Sequence, residues 1–341
     1  KFFDGIPVNR VPSPGETGAA LAPAVDYFTG IALRWVNEFG FDFIRYDSAD
    51  HIFDSVAQGD WSRPGSDRPT PEILRECVRR SRSEGRPAVG NFAERMGNEL
   101  DDYAAIGFDL ILGSDMFDRL DRAHLERCFA IHERLLARTA AGLPPASIVF
   151  CTDTHDTGNP FIHGQPLITL EGPEGMLARQ FAARFLPSGG ARRPKYEVMG
   201  AQDLSNGLYQ ANITNANLVW VGDADFCRRY HWLEDVYDNY RDFLSRARLT
   251  CRQLDERLAW WVLEDGEERL VAVLSLFHRD GPEVLRDVVL ELPGGAGGRC
   301  LEHDFAFCRT EERPLANSRL VIPELPWRGC RLFRIRPDGG A

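Results

Sequence analysis

The chain has no CxxC pair among its eight cysteines, no dense run of lysine or arginine, and no stretch of about 18 uninterrupted apolar residues. Each absence excludes a class of protein. Cysteines 77, 128, 151, 227, 251, 300, 308 and 330 are widely scattered, so neither a zinc site nor a redox motif is signalled. Most of them sit in apolar segments, as buried reduced thiols do. A formal net charge of −11 and a pI near 5.3 would repel nucleic acid and anionic membranes on average, and a neutral substrate suits such a surface better. With no apolar run of spanning length and no visible signal peptide, the expectation is no membrane partner and a cytoplasmic location. The chain starts with Lys1 rather than Met, which leaves an upstream segment open. No H-x-H strand end occurs, and this counts against a metal-dependent barrel hydrolase. There is also no internal repeat and no low-complexity tract.

What is present is an ordinary globular composition, 43% hydrophobic and 27% charged over 341 residues, enough for one large domain and a smaller one. Residues 1–23 are rich in Pro and Gly and read as loop. Val25, Phe28, Ala32, Trp35, Val36 and Phe39 then recur at helical spacing, with Gly40 as a C-terminal cap. The strand FDFIRY follows, then a helix from Thr70 to Gly85, the strand PAVGNF, a helix near 97–105 and the strand DLILGS. RAHLERCFAIHERLLART is an amphipathic helix and ASIVFCT a strand. GPEGMLARQFAARFL reads as helix, KYEVMG as strand and WLEDVYDNYRDFLSRARL as helix. Short apolar strands alternating with helices in this way predict βα units around a parallel sheet over residues 1–255. From residue 256 to 341 the segments are strand-like and separated by turns such as EDGEE and PGGAGG, which predicts an all-β antiparallel sandwich. Trp260 and Trp261 are expected to pack between the two parts.

In βα folds the chemistry gathers at the C-terminal ends of the strands. Here the first strand ends IRYDSADH, with Arg45 and Asp47 two apart and so on one side of the strand. The second ends VGNFAERMG, with Glu94 just past the apolar run. The third ends in Asp115 and the fourth in VFCTDTHDTGNP, with Asp153, His155 and Asp156. Carboxylates converging on one rim repel one another unless some are protonated or paired. Arg45 would hold one carboxylate ionised, and a carboxylate lacking such help could donate a proton. An ionised nucleophile facing a protonated acid at roughly 5 Å is the equipment of a retaining glycosidase. Read alone, each group also has a structural explanation: an ion pair for Arg45 and Asp47, a first-turn helix acid for Glu94, and a capped turn for His155 and Asp156.

GFDFIRYDSADHI resembles the second signature region of the α-amylase family, glycoside hydrolase family 13, which runs G-F-R-x-D-x-x-x-H. AVGNFAERMG is similar to the third region, and VFCTDTHDTGNP resembles the fourth, apolar residues followed by D-N-H-D. The resemblance spans roughly residues 20 to 250, and the β segment after it matches the family's usual C-terminal sandwich. It implies a (β/α)8-type (TIM) barrel portion and a retaining glycoside hydrolase or transglycosylase acting on α-glucosidic bonds of glucans or oligosaccharides. Asp47 would be the nucleophile, Glu94 the general acid/base and Asp156 the third carboxylate, stabilising an oxocarbenium-like transition state. Arg45 would hold Asp47 ionised, His155 would bond the sugar, and His51 would line the acceptor side. No cofactor is required for this chemistry, and a structural calcium ion is left open.

Two departures qualify the resemblance. Asp50 stands where the family often has Lys before the motif histidine. The family's first signature is missing, and residues 1–23 cannot hold the three further βα units of a complete barrel, which needs about 250 residues. The expectation is that an N-terminal portion or another chain completes it. The competing reading is a catalytically silent relative that binds glucan or serves as a partner subunit.

Overall fold

The computed structural model describes residues 22–46, 49, 72–85, 89–94, 100–112, 120–151, 167–189, 195–196, 224–276, 283–293, 298–315 and 317–336. They divide into two compact units, one of residues 1–115 with 133–149, the other of 116–132 with 150–341.

The first unit is built of βα repeats. Helix α1 (Ala22–Asn37) leads into strand β1 (Phe43–Tyr46), helix α2 (Glu72–Ser83) into β2 (Gly90–Ala93), and helix α3 (Leu100–Ile106) into β3 (Leu110–Leu112). Helix α4 (Arg122–Ala140), whose last turns belong to this unit, precedes β4 (Ser147–Cys151). Strand pairing is parallel and follows chain order: Phe43 opposes Gly90, Phe92 opposes Leu110, and Leu110 opposes Ser147. Gly40, at φ +72°, ends α1 as its sequence position predicts. Leu74, Cys77 and Val78 of α2, with Tyr103, Phe108, Ile111 and Ile148, form the apolar layer between helices and sheet.

In the second unit, the last two residues of β4 pair in parallel with β5 (Lys195–Tyr196). Helix α5 (Leu167–Phe185) begins five residues ahead of the GPEGMLARQ segment and is broken at Gly172, φ +73°, followed by Pro173. Proline supplies no amide proton and glycine tolerates positive φ, so the two residues join two helical pieces at an angle. Helix α6 (Ala224–Arg246) lies on α5 through Met176, Leu177 and Phe226. Arg179 and Arg184 of α5 are fully buried, and each is held by a carboxylate, Glu171 and Glu234 respectively.

The antiparallel sandwich consists of a six-stranded sheet, β11-β10-β13-β8-β7-β6, and a two-stranded sheet, β12-β9. Its strands are β6 (Arg248–Leu254), β7 (Leu258–Asp265), β8 (Glu268–Ser275), β9 (Leu285–Glu291), β10 (Gly298–Asp304), β11 (Arg309–Leu315), β12 (Arg319–Leu325) and β13 (Cys330–Ile335). Strand β6 lies on the N-terminal side of the 255/256 boundary drawn from sequence, yet it is already an edge strand of this sheet. The interior between the two sheets gathers Trp260, Val262, Val271, Val273, Leu290, Leu320, Ile322 and Phe333. Trp261, one residue on and therefore on the opposite face, donates its Nε1–H to the Phe185 carbonyl at 2.8 Å and packs on Phe129 and Phe181. The two tryptophans thus part company. Trp260 belongs to the sandwich interior, whereas Trp261 joins the sandwich to helical residues of its own unit.

Among the described residues no helix is long and apolar enough to cross a membrane.

Candidate active site

Of the six residues assigned to the site from sequence, Arg45 and Glu94 are described; Asp47, His51, His155 and Asp156 lie outside the described residues. Arg45 is the third residue of β1, and Glu94 is the residue immediately after β2. The parallel ladder runs Arg45↔Phe92 and Tyr46↔Ala93. Glu94 N–H donates to the Tyr46 carbonyl at 3.0 Å, and the Glu94 carbonyl accepts from Ala49 N–H at 3.2 Å. These bonds carry the ladder one rung past the strand ends and fix where the Glu94 side chain emerges.

Side chains two apart on a strand share a face, and partners across a parallel pair do too, so Arg45, Phe92 and Glu94 lie on one side of the sheet. The contact between them is direct: Arg45 Nη2 stands 2.6 Å from Glu94 Oε1. Glu94 is only 6% exposed. A guanidinium at this range favours the ionised form of a carboxylate. From sequence, Arg45 is expected to serve Asp47. Asp47 lies outside the described residues; the contact described for Arg45 is with Glu94, on the neighbouring strand.

The other face of the same two strands is a positioning layer. The Tyr46 hydroxyl donates to Asn91 Oδ1 at 3.2 Å, and Ser81 Oγ of α2 lies 3.3 Å from the same oxygen. Asn91 N–H donates to Asp109 Oδ2 at 2.7 Å, and Arg82 Nη2 stands 2.8 Å from that oxygen. Burial pushes the Tyr46 hydroxyl well above the usual tyrosine range, so it stays a neutral donor. Residues 91 and 109 escaped notice in the sequence. The signal was there, because a buried asparagine in the middle of the strand PAVGNF needs partners for its amide. On the opposite, Arg45 face, the Phe43 ring lies against Phe92 and over Gly90, where any Cβ would collide with it.

A groove of about 540 Å³ lies elsewhere in this unit, between α2, α3 and the end of α4, lined by Arg75, Arg79, Arg82 and Arg138 around Val78 and Ile106. It contains neither Arg45 nor Glu94. Among the described residues no three His, Cys, Asp or Glu side chains gather as a cation site.

No protein-family model matches the sequence, and no curated protein sequence does either. Solved structures do match. The Anoxybacillus α-amylase superposes with a TM-score of 0.57 at 12% identity, over 95% of this chain and 65% of that one. The α-amylase from Geobacillus thermoleovorans, solved with acarbose, gives 0.60 at 12% identity over 94% and 66%. AmyP, solved with maltose, gives 0.55 at 15% identity over 97% and 73%. The chain shares the fold of α-amylases. It spans just under two thirds of the first two of those chains. The α-amylase fold is also what the three motifs implied, with parallel βα units first and an antiparallel β domain after them.

Proposed function

We propose that the chain is part of a retaining α-glucan-active enzyme, a glycoside hydrolase or transglycosylase working through a covalent glycosyl-enzyme intermediate. The observation that carries this reading is the Arg45–Glu94 pair: a buried carboxylate at the end of one parallel strand, held by a guanidinium from its neighbour. Asp47 and Glu94 are the next residues in sequence after the paired Tyr46 and Ala93. A retaining pair sets its two carboxyls roughly 5 Å apart.

In the first half-reaction the Asp47 carboxylate attacks the anomeric carbon while Glu94 protonates the departing glycosidic oxygen. A glycosyl ester forms on Asp47 as the glycosidic bond breaks, and Glu94 is left ionised. In the second half, Glu94 takes a proton from water or from an acceptor hydroxyl. The resulting oxygen nucleophile attacks the same carbon and frees the Asp47 carboxylate. The ion pair with Arg45 corresponds to the ionised form of Glu94, the one competent for this second half. Asp156 grips sugar hydroxyls and supports the oxocarbenium-like transition state. His155 hydrogen-bonds the sugar and His51 lines the acceptor side. Hydrolysis and transfer use the same residues and differ only in which acceptor reaches the ester.

The test is incubation of the full-length protein with maltooligosaccharides, comparing wild type with Asp47→Asn and following anomeric configuration by NMR. Product from wild type alone, with retained configuration, is expected. Equal product from both proteins would remove Asp47 as nucleophile and leave the silent glucan-binding or partner-subunit reading in its place.

A further inference from the structure

The groove between α2, α3 and the end of α4 carries charge of the opposite sign to the chain as a whole. Arg75, Arg79 and Arg82 recur at i, i+4 and i+7 on one face of α2, and Arg138 lines the groove from the last turn of α4. Among the described residues no aspartate or glutamate lines it, although the net charge of the chain is −11.

Two of these four cations are already answered. Arg79 pairs with Glu76, one turn back on its own helix. Arg82 donates to the Gly107 carbonyl at 2.6 Å and stands 2.8 Å from Asp109 Oδ2. The other two are not. Arg75 and Arg138 have no ion-pair partner among the described residues, and Arg138 Nε is buried there without a hydrogen bond. A buried donor left without an acceptor costs stability, and a bound anion would supply the acceptor.

Between the guanidinium groups the wall is apolar, formed by Val78, Ala104, Ile106 and the 45%-exposed Leu143. A volume of about 540 Å³ lies within the range of small-molecule sites. The groove is also set apart from the candidate active site. Gly107 and Leu143 lie in the connections that enter β3 and β4, at the N-terminal ends of the parallel strands. Arg45 and Glu94 lie at the C-terminal ends.

We infer that this groove binds a small organic phosphate, a dianionic head on an apolar body. Two unanswered guanidinium groups match the charge of a phosphate monoester, which approaches −2 at pH 7. The planar fork of arginine suits phosphate oxygens, and the apolar wall covers a body that inorganic phosphate lacks. A carboxylate would bring one charge to two cations. An anionic membrane suits the groove less well, because the surface of a chain at −11 repels it on average.

The test is isothermal titration calorimetry of the full-length protein with phenyl phosphate, and it needs no glycosidase activity. One site is expected, about tenfold tighter for phenyl phosphate than for inorganic phosphate or benzoate. Replacing both Arg75 and Arg138 by Ala should weaken binding by about tenfold. Leu143→Glu, which sets an anion on an exposed part of the wall and keeps every arginine, should weaken it by about as much. Arg241→Ala, exposed on α6, should leave the affinity unchanged. The inference is overturned by no binding, by inorganic phosphate binding as tightly as phenyl phosphate, or by equal affinity in all these variants. Binding confined to vesicles containing phosphatidic acid would overturn it too, by making the partner a membrane.

Discussion

Buried ionic groups occur in two regions of this molecule, and they are built to different ends. In the sandwich, Glu302, Asp304 and Arg331 are almost wholly buried on the paired strands β10 and β13. Arg331 reaches both carboxylates, at 3.2 Å to Glu302 and 2.9 Å to Asp304, and Arg313 adds a second cation on Glu302. Asp304 Oδ1 also accepts from the amides of Ala306 and Phe307. Every charge in that set is answered within one sheet. At the ends of β1 and β2, by contrast, Arg45 and Glu94 pair where two parallel strands run out. Both arrangements satisfy the requirement that buried charge be paired. A buried ion pair therefore does not mark a site by itself; the proposed site rests on the pair's position at the C-terminal ends of parallel strands, where chemistry gathers in βα folds.

The sharpest way to break this comparison is to neutralise a carboxylate in each region. Asp47→Asn should lower kcat on maltooligosaccharides by about 10⁴-fold, and Glu94→Gln by about 10³-fold. Neither should lower the melting temperature by much, because relieving a carboxylate cluster offsets lost contacts. Glu302→Gln should do the reverse, leaving kcat per folded molecule unchanged. Steady-state kinetics with thermal melts on the same samples separates the outcomes, and a comparable loss of kcat in Glu302→Gln would erase the distinction. Next in size, Arg331→Ala removes the cation shared by two buried carboxylates and leaves them to Arg313, Arg309 and two amides, which should cost about 3 kcal/mol of stability in urea unfolding.

A third test uses pH. His303 is buried between the Tyr240 hydroxyl, 2.7 Å from Nε2, and Thr310 Oγ1, 2.9 Å from Nδ1. Both contacts suit a neutral ring, with Tyr240 donating and Nδ1–H given to Thr310, a tautomer assigned from the bonding pattern. Burial, helped by the charge of Arg334, pushes its pKa from 6.5 down to about 4. The unfolded chain binds this proton first as pH falls. The stabilisation is therefore complete above about 6.5 and is lost progressively between 6.5 and 4, by about 3 kcal/mol. Urea midpoints at pH 7 and pH 4.5 should differ less in His303→Gln than in wild type by that order, and an identical difference would rule out His303 as the source.

The βα alternation and the strand-rich tail were legible because burial imposes a period, 3.6 on α1 and α4 and two on the sandwich strands. The strand ends were legible because Arg45 and Glu94 interrupt apolar runs. Three features were not. Strand β6, RLTCRQL, has too few apolar residues to stand out from the helix before it, and its place is set by pairing with β7. Trp260 and Trp261 look alike in sequence, and only the direction of the pleat sends one into the sandwich and the other onto Phe181. The pairing of Arg45 with Glu94 depends on register between two strands about 45 residues apart, which no local pattern encodes.

The smallest predicted effect divides the two faces of a single strand. Tyr46 follows Arg45 directly, but the pleat turns it toward Asn91 and Phe108, the latter ring 5.3 Å away, on the side opposite Glu94. Tyr46→Phe keeps the ring and deletes one hydrogen bond, so unfolding free energy should fall by about 1 kcal/mol while kcat stays within about threefold of wild type. Arg45→Ala, one residue away, should lower kcat by about 100-fold, because it strips Glu94 of its cation. Should Tyr46→Phe lower kcat as far as Arg45→Ala does, the face carrying Tyr46, Asn91 and Asp109 would belong to the chemistry rather than to the frame that holds it.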